Sequence, residues 1–578
     1  MCKLEKTVFR AFLFILTFKN GGSMAKYNAK KEPVVTATVT HQGGSGFTQR
    51  PEHELIGILS TGTQNSFYEK ETERETRLKG LIDILAKTNS TFVAKALVYA
   101  RTVFGQRSVT HLGAVNLLPY LSGTELGKKF FSKRSRKENS GGIVYRLDDM
   151  LEILACYVFK KGIKPGQKWT MPKAMKQGFK SAIENADSYE LAKYQSKSNA
   201  ISLVDIVNLV HPVETRKNGF IEVDVKDYAK AIKGTKWKNE EVSPEGTKKV
   251  TSLRALVLGL LKQFNTVEDK NTEAGKEVSK LVKTGEVTKE EAKEMLVEKK
   301  VENYEELIKT KKIGYLALIR NIRNILKTDN DSLLTQACEL LVNKDFILKS
   351  KVFPHQIDLC LEVLLQEFNG VKLQKIAKAL NDAYEKSIPN LAELFNDGRT
   401  AVVLDTSGSM SSLIRLDNQR SGSASALQKG SLVAATLAKG IGAHMFVFAD
   451  RCAQVSYNPL DSVNTLKNVL LHGHGVGGGT SWSTIFPVLE HEGRFERVFI
   501  ISDEQSNDSL ERSYSSYCAK FGTPYVYIIN ICGYGPTAMK AGSKVFRIFG
   551  YTQSIYETAK NSEMDFNAVL KEINAIEI

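Results

Sequence analysis

The chain has 578 residues, 42% hydrophobic and 25% charged, with a formal net charge of +16, which excludes a disordered or fibrous protein and allows several packed domains. From Ala401 onward there are 15 Lys/Arg and 16 Asp/Glu, so the first 400 residues, with 65 against 48, carry all of the net positive charge; a basic part beside a neutral one points to a polyanionic partner, RNA or DNA first. Seven scattered cysteines without a CxxC pair exclude a disulfide framework or a zinc ribbon and fit a reducing cytosol.

Residues 1–23 contain a short apolar run, Ala11 to Phe18, behind basic residues. It imitates a signal peptide but lacks a small-residue cleavage site, and it is too short to span a bilayer. Gly21-Gly22 ahead of Ser23-Met24 fits read-through of a purine-rich ribosome-binding site. We therefore read Met24 as the start and 1–23 as untranslated, in a bacterial or phage gene. Residues 25–52 are polar and read as an extended arm, giving an N-terminal extension over 1–53.

A helical region is expected over 54–390. Apolar residues at three- and four-residue spacing mark helices over 77–87, 92–104, 147–160, 173–185, 201–209, 252–263, 314–326, 333–342, 355–368 and 373–387. Successive helices with short connections suggest a solenoid of helical hairpins, although no clean repeat period shows. Residues 265–312, dense in Glu and Lys, read as a solvated helical insertion. Lys173, Lys176 and Lys180 share one helix face, Lys193 and Tyr194 follow, and His211 lies just after the next helix. Such lysines contact phosphates, and Tyr194 offers a ring for base stacking. Arg320, Arg323 and Lys327 form a second spaced set, which either faces bound nucleic acid or pairs with acids inside the helical stack.

Residues 391–578 read as α/β, because strands (401–404, 443–449, 453–457, 497–502, 524–531, 544–549) alternate with helices (424–439, 461–471, 483–491, 510–521, 556–576). The stretch TAVVLDTSGSMSS from Thr400 is a buried strand ending in a polar loop, in which Asp405, Ser407 and Ser409 alternate. GVGGGTS delivers Thr480, and the strand RVFIISD ends on Asp503. Ligands gather beyond the carboxyl ends of strands in such sheets. Hard oxygen donors suit Mg²⁺, or Mn²⁺, rather than zinc. The glycine run lacks the lysine of a phosphate-binding loop, so no nucleotide is expected there. His472 and His474 have no thiolate neighbours and read as polar loop residues. No enzyme is expected: no histidine stands near Ser407 or Ser409 to activate it, and two carboxylates are too few for a two-metal nuclease.

Asp405, Ser407, Ser409, Thr480 and Asp503 resemble the metal-ion-dependent adhesion site of von Willebrand factor A domains. That resemblance implies one divalent cation, held by the serine and often the threonine hydroxyls directly and by the aspartates partly through water. A wider resemblance rests on LSTGTQNSFY from Leu59, YARTVFGQRSVTHLGAVNLL from Tyr99, MPKAMKQGFKSAIENADSYELAKYQ from Met171, VDIVNLVHP from Val204, GYLALIRNIRNIL from Gly314 and SIPNLAELFNDGRTAVVLDTSGSM from Ser387. Together these are similar to the Ro autoantigen family, whose TROVE (telomerase, Ro and vault) module precedes an A-type domain.

The family implies an α plus α/β fold: a HEAT-like α-helical repeat ring closed by a doubly wound von Willebrand factor A-like domain. It also implies binding of small structured Y-like RNA on the ring, and of single-stranded 3′ ends of misfolded RNA in its hole, for RNA quality control. The segment that touches Y RNA in the family matches residues just before LVHP; lysines stand here where the family often has arginines, which loosens specificity. The expectation is a monomeric cytoplasmic ribonucleoprotein with no membrane segment, partnered by small non-coding and misfolded RNA and by an exoribonuclease. The alternative is a protein-adhesion module on a helical scaffold, its cation capturing an acidic protein ligand.

Overall fold

The structure is a computed structural model. It describes residues 37–62, 67–164, 167–194, 201–214, 219–237, 243–261, 304–305, 307–308, 313–350, 352, 354–388, 391–395, 397–411, 413–414, 424–472, 474–550, 554–565 and 567–578. The expectations for 1–23 and for nearly all of the Glu/Lys-rich stretch lie outside these residues.

The described part of the arm, from residue 37, is a hairpin rather than an extended segment. Strands β1 (Ala37–Val39) and β2 (Ser45–Phe47) pair antiparallel. Gly43, at φ 89°, takes the left-handed position of the turn between them. Helix α1 (Pro51–Thr61) begins earlier than its apolar pattern, because Pro51 fits the first turn, with Glu52 and Glu54 beside it; Gly62 ends it in the left-handed conformation. Helix α2 (Glu71–Thr102) is broken at Asn89, whose side chain accepts from Phe92 N at 2.9 Å and caps the second half. The sequence reads as two helices there for that reason.

The helical region continues with α3 (Ser108–Leu121), α4 (Glu125–Phe130), α5 (Leu147–Lys160), α6 (Lys173–Glu184), α7 (Ser188–Lys193) and α8 (Leu203–Val210). An antiparallel pair, β3 (Phe220–Asp224) and β4 (Thr247–Thr251), then encloses α9 (Val225–Ile232) and leads to α10 (Ser252–Val257). The helical reading did not contain this pair. Its alternation is short, with only Ile221 and Val223 of β3 buried. Helices α11 (Tyr315–Lys327), α12 (Asp331–Leu341), α13 (Lys344–Ser350), α14 (Pro354–Glu367), α15 (Val371–Ser387) and α16 (Leu391–Leu394) follow.

The final part holds β5 (Thr400–Asp405), α17 (Ala426–Ile441), β6 (His444–Phe448), β7 (Cys452–Val455), α18 (Val463–Leu471), α19 (Ile485–Glu492), β8 (Arg497–Ser502), α20 (Glu511–Phe521), β9 (Tyr525–Asn530), β10 (Val545–Phe549), α21 (Ser554–Met564) and α22 (Ala568–Asn574). The six strands order as β7-β6-β5-β8-β9-β10, parallel except for the edge strand β7. The single helix expected over 556–576 is two.

Three apolar cores hold the molecule together. The first packs the helices up to α10 with Phe549, Ile573 and Ile576 of the α/β part. The second joins α11–α16 to one face of the sheet, and the third fills the other face around Trp482, Phe486 and Tyr517. Both ends of the helical region therefore dock on the α/β part. At the first end, Arg74 Nη2 donates to Cys532 O at 2.6 Å and Arg77 Nη2 to Gly533 O at 2.9 Å. At the second, Lys467 pairs with Asp358 at 2.7 Å, and Val463 N donates to Glu385 at 2.8 Å.

Candidate metal and nucleic-acid sites

Parallel pairing sets Asp405 opposite Phe448 and Leu404 opposite Ile501, so β5 and β8 end at the same edge. The chain crosses to opposite sides of the sheet from these two central strands, which opens a crevice at their carboxyl ends. Asp405, Ser407, Ser409, Thr480 and Asp503 are all buried there. Asp405 accepts from Ser407 N at 2.9 Å and from Ser502 Oγ at 2.5 Å. The Ser407 and Ser409 hydroxyls lie 3.2 Å apart. Gly408 N donates to Gly478 O at 2.9 Å and ties the serine loop to the glycine loop. Asn507 N and Ser506 Oγ both donate to Thr480 O, at 2.9 and 3.2 Å. Gln505 N donates to Asp503 Oδ1 at 3.1 Å.

Two oxygens of this set, Thr480 Oγ1 and Asp503 Oδ2, are buried without a hydrogen-bond partner. Such orphans are costly unless a ligand meets them. Burial pushes the Asp405 carboxyl up to about 6; burial and then the neighbouring Asp405 charge push Asp503 to about 8. Two carboxylates, three hydroxyls and orphaned oxygens make a donor set that fits one hard divalent cation. Among the described residues no group of three His, Cys, Asp or Glu is placed to hold a metal, and His474 Nε2 lies 3.0 Å from Val469 O as an ordinary loop residue.

The basic residues are spread over several helices. On α6, Lys173 is exposed and Lys176 and Lys180 are half-buried, while Met175, Phe179 and Ile183 on the other face enter the first core. Val213 N donates to Glu184 at 2.8 Å, which brings the segment with His211 to the end of α6. His211 itself is exposed and caps α8 at φ 50°, a conformation that costs a β-carbon residue about 1–3 kcal/mol. Tyr194 is half-buried with the Arg146 guanidinium 5.0 Å from its ring centre. The Lys193 side chain lies outside the described residues. Arg320 and Arg323 are exposed on α11, and Arg323 pairs with Glu367 at 2.6 Å. The α6 set stands on the first core and the α11 set on the second.

The TROVE domain matches residues 48–363, more than half of the chain. The chain belongs to the TROVE family. No curated protein matches it. Among solved structures, the crystal structure of the Deinococcus radiodurans Ro (Rsr) protein is similar, with a TM-score of 0.51 and 14% identity over 89% of this chain and 100% of that one. At that identity the likeness is one of fold: a helical region followed by the six-stranded α/β part. By the matched domain, this TROVE protein is an RNA-binding protein. Among its described residues no helix is long and apolar enough to cross a membrane.

Several residues that build the TROVE protein's candidate sites carry no local sequence signal. Ser502 holds Asp405 from the neighbouring strand. Asp450 accepts from Gly478 N at 2.9 Å and fixes the glycine loop. Asp508 accepts from Trp482 N at 2.9 Å and from the Ser481 and Ser483 hydroxyls at 2.5 Å each. Glu504, at φ 60°, turns its carboxylate to Arg547 at 3.0 Å and Asn530 at 3.1 Å. Beside the helical set, Arg254 lies over the Trp237 ring at 5.4 Å.

Proposed function

We propose that this TROVE protein binds a small structured RNA on the face of Lys173, Lys176, Lys180 and His211, with Lys193 and Tyr194 at its border. Single-stranded 3′ ends of misfolded RNA engage the Arg320 and Arg323 face. The protein is a non-catalytic, cytoplasmic, monomeric participant in RNA quality control that hands RNA to an exoribonuclease. The observation that carries this reading is the α6 face: lysines turned outward from a helix whose other side is core, within a region holding the whole charge excess. A Mg²⁺ ion held by Asp405, Ser407, Ser409, Thr480 and Asp503 orders the α/β part; it would supply charge neutralisation there, not chemistry on RNA. The adhesion reading needs an open cation face, and the burial of all five residues argues against it.

Three lost phosphate contacts at 0.15 M salt, at a slope of about 0.9 per contact, cost about a hundredfold in affinity. Changing Lys173, Lys176 and Lys180 together to Glu is expected to weaken a hairpin RNA by at least that factor and a short single strand far less. Arg320→Glu with Arg323→Glu is expected to do the reverse, by about fifteenfold, from two contacts at the smaller single-strand slope of about 0.7. Equal weakening of both RNAs by each variant would leave only general electrostatics. RNA shortened by the protein in Mg²⁺ would overturn the non-catalytic reading.

A further inference from the structure

The candidate cation site is covered by the chain's own arm. Gly44 N and Thr40 Oγ1 both donate to Ser506 O, at 3.2 and 2.6 Å, and His41 N donates to the Gln505 side chain at 2.8 Å. Gln505 N in turn holds Asp503, and Ser506 Oγ holds Thr480 O. The arm thus docks on the backbone that presents two of the five oxygens. Its second strand is anchored farther along, where Phe47 and Thr537 exchange backbone hydrogen bonds at 2.9 and 3.1 Å.

Aromatic side chains close the remaining side. His41 stacks on Tyr68 at 5.3 Å, with the planes 7° apart, and both rings meet Tyr534 edge-on. Gln42 Nε2 donates to the Tyr68 hydroxyl at 2.5 Å. Ser409, Asp503 and Asp405 are close enough to that hydroxyl to bear on its ionisation. Three segments distant in sequence therefore meet over the site: the arm, the stretch before α2, and the loop after β9. The approach at Gly44 is so close that a β-carbon there would sit 2.2 Å from Ser506 O.

We propose that residues 40–47 and Tyr68 form a built-in lid, and that the cation is an internal fastener coupling the arm and helical region to the α/β part, with Tyr68 standing where an outside carboxylate would approach. This rests on the cation reading given above. A bound cation neutralises Asp405 and Asp503 and fixes the 480 and 503–506 backbone, where Ser506 O and the Gln505 side chain accept the arm's hydrogen bonds. Without it the Thr480 hydroxyl and one Asp503 oxygen stay buried without a partner and the acceptors lose their places. Coupling of this kind is reciprocal, so releasing the arm weakens the cation by the same factor as removing the cation loosens the arm.

Hydrogen exchange on the full chain, in Mg²⁺ and in EDTA, reads the arm; Mn²⁺ titration followed by electron paramagnetic resonance reads the site. The expected result is that the amides of Gly44 and Phe47 exchange about tenfold faster in EDTA, with the β5 and β8 amides unchanged. Gly44→Ala is expected to speed arm exchange in both buffers and weaken Mn²⁺ by about the same factor. Arm exchange indifferent to a cation that does bind, or unchanged Mn²⁺ affinity in Gly44→Ala, would overturn the lid. No Mn²⁺ binding at all would overturn the cation reading itself, and the lid with it. If Gly44→Ala loses β5 and β8 protection, the comparison of the wild type in the two buffers decides alone.

Discussion

Both regions bury carboxylates, and they treat them in opposite ways. In the helical region Asp149 is fully buried on α5. It accepts from Arg101 at 3.0 Å, from Tyr145 N and Arg146 N at 3.0 and 2.9 Å, and lies 3.2 Å from His111 Nε2. Burial opposes its ionisation, but the His111 hydrogen bond and the Arg101 charge prevail and hold it well below the ordinary carboxylate range. In the α/β part, burial raises Asp405, burial and then the Asp405 charge raise Asp503, and one oxygen of Asp503 has no partner. Equal burial with opposite protonation separates two purposes. A carboxylate whose partners are all within the chain is a structural tie, whereas a pair with an orphaned oxygen fits the cation proposed above.

Removing one partner from a satisfied buried network leaves the others charged and unpaired. Asp149→Ala is therefore expected to cost about 3–5 kcal/mol, to the same extent in Mg²⁺ and in EDTA. Denaturant unfolding checks it; a loss under about 1 kcal/mol would mean that the network is not the tie described. The α/β pair should behave differently. Mg²⁺ at a hundredfold over its Kd is expected to add about 2.7 kcal/mol to the wild type. Asp503→Asn should abolish that gain while costing little in EDTA, because burial already disfavours the charge that it removes. If EDTA left the wild type as stable as Mg²⁺ did, the two carboxylate sites would no longer be distinct.

The same contrast explains what the sequence revealed. The convergence of the candidate residues was legible because Asp405, Ser407 and Ser409 are local to one loop and Asp503 ends a second apolar strand; each strand end could be read alone, and the sheet brought them together. The basic residues were legible as charges on helix faces, but Arg146 over Tyr194 and Glu367 against Arg323 come from other helices. Asn89 was legible as an end, because the helix breaks there and its side chain caps the second half. The arm was least legible: its contacts to Ser506 and Thr537 span more than 400 residues, and nothing local in a polar Thr/Gly stretch announces them.

The smallest expected effect concerns His111, inside the Asp149 network. Burial lowers its pKa, but hydrogen bonds to Asp149 and Glu152 outweigh burial and raise it above its ordinary value. Arg101 and Arg107 also face this cluster, each paired with Asp149. A histidine whose folded pKa exceeds its unfolded one contributes stability that is fully present below about pH 6.5 and is lost as the pH rises through the folded value. The stability difference between the wild type and His111→Gln should thus be larger at pH 6 than at pH 9, by about 1.4 kcal/mol for each unit separating the two pKa values. Asp405 and Asp503 titrate in the same window, but in both proteins alike. Because they have no partner in common with His111, their contribution cancels in the difference. An equal difference at the two pH values would mean that His111 is neutral in the folded protein. Asp149 would then be held by Arg101, Arg107 and the backbone, and its satisfied network would be one charge weaker than its geometry indicates.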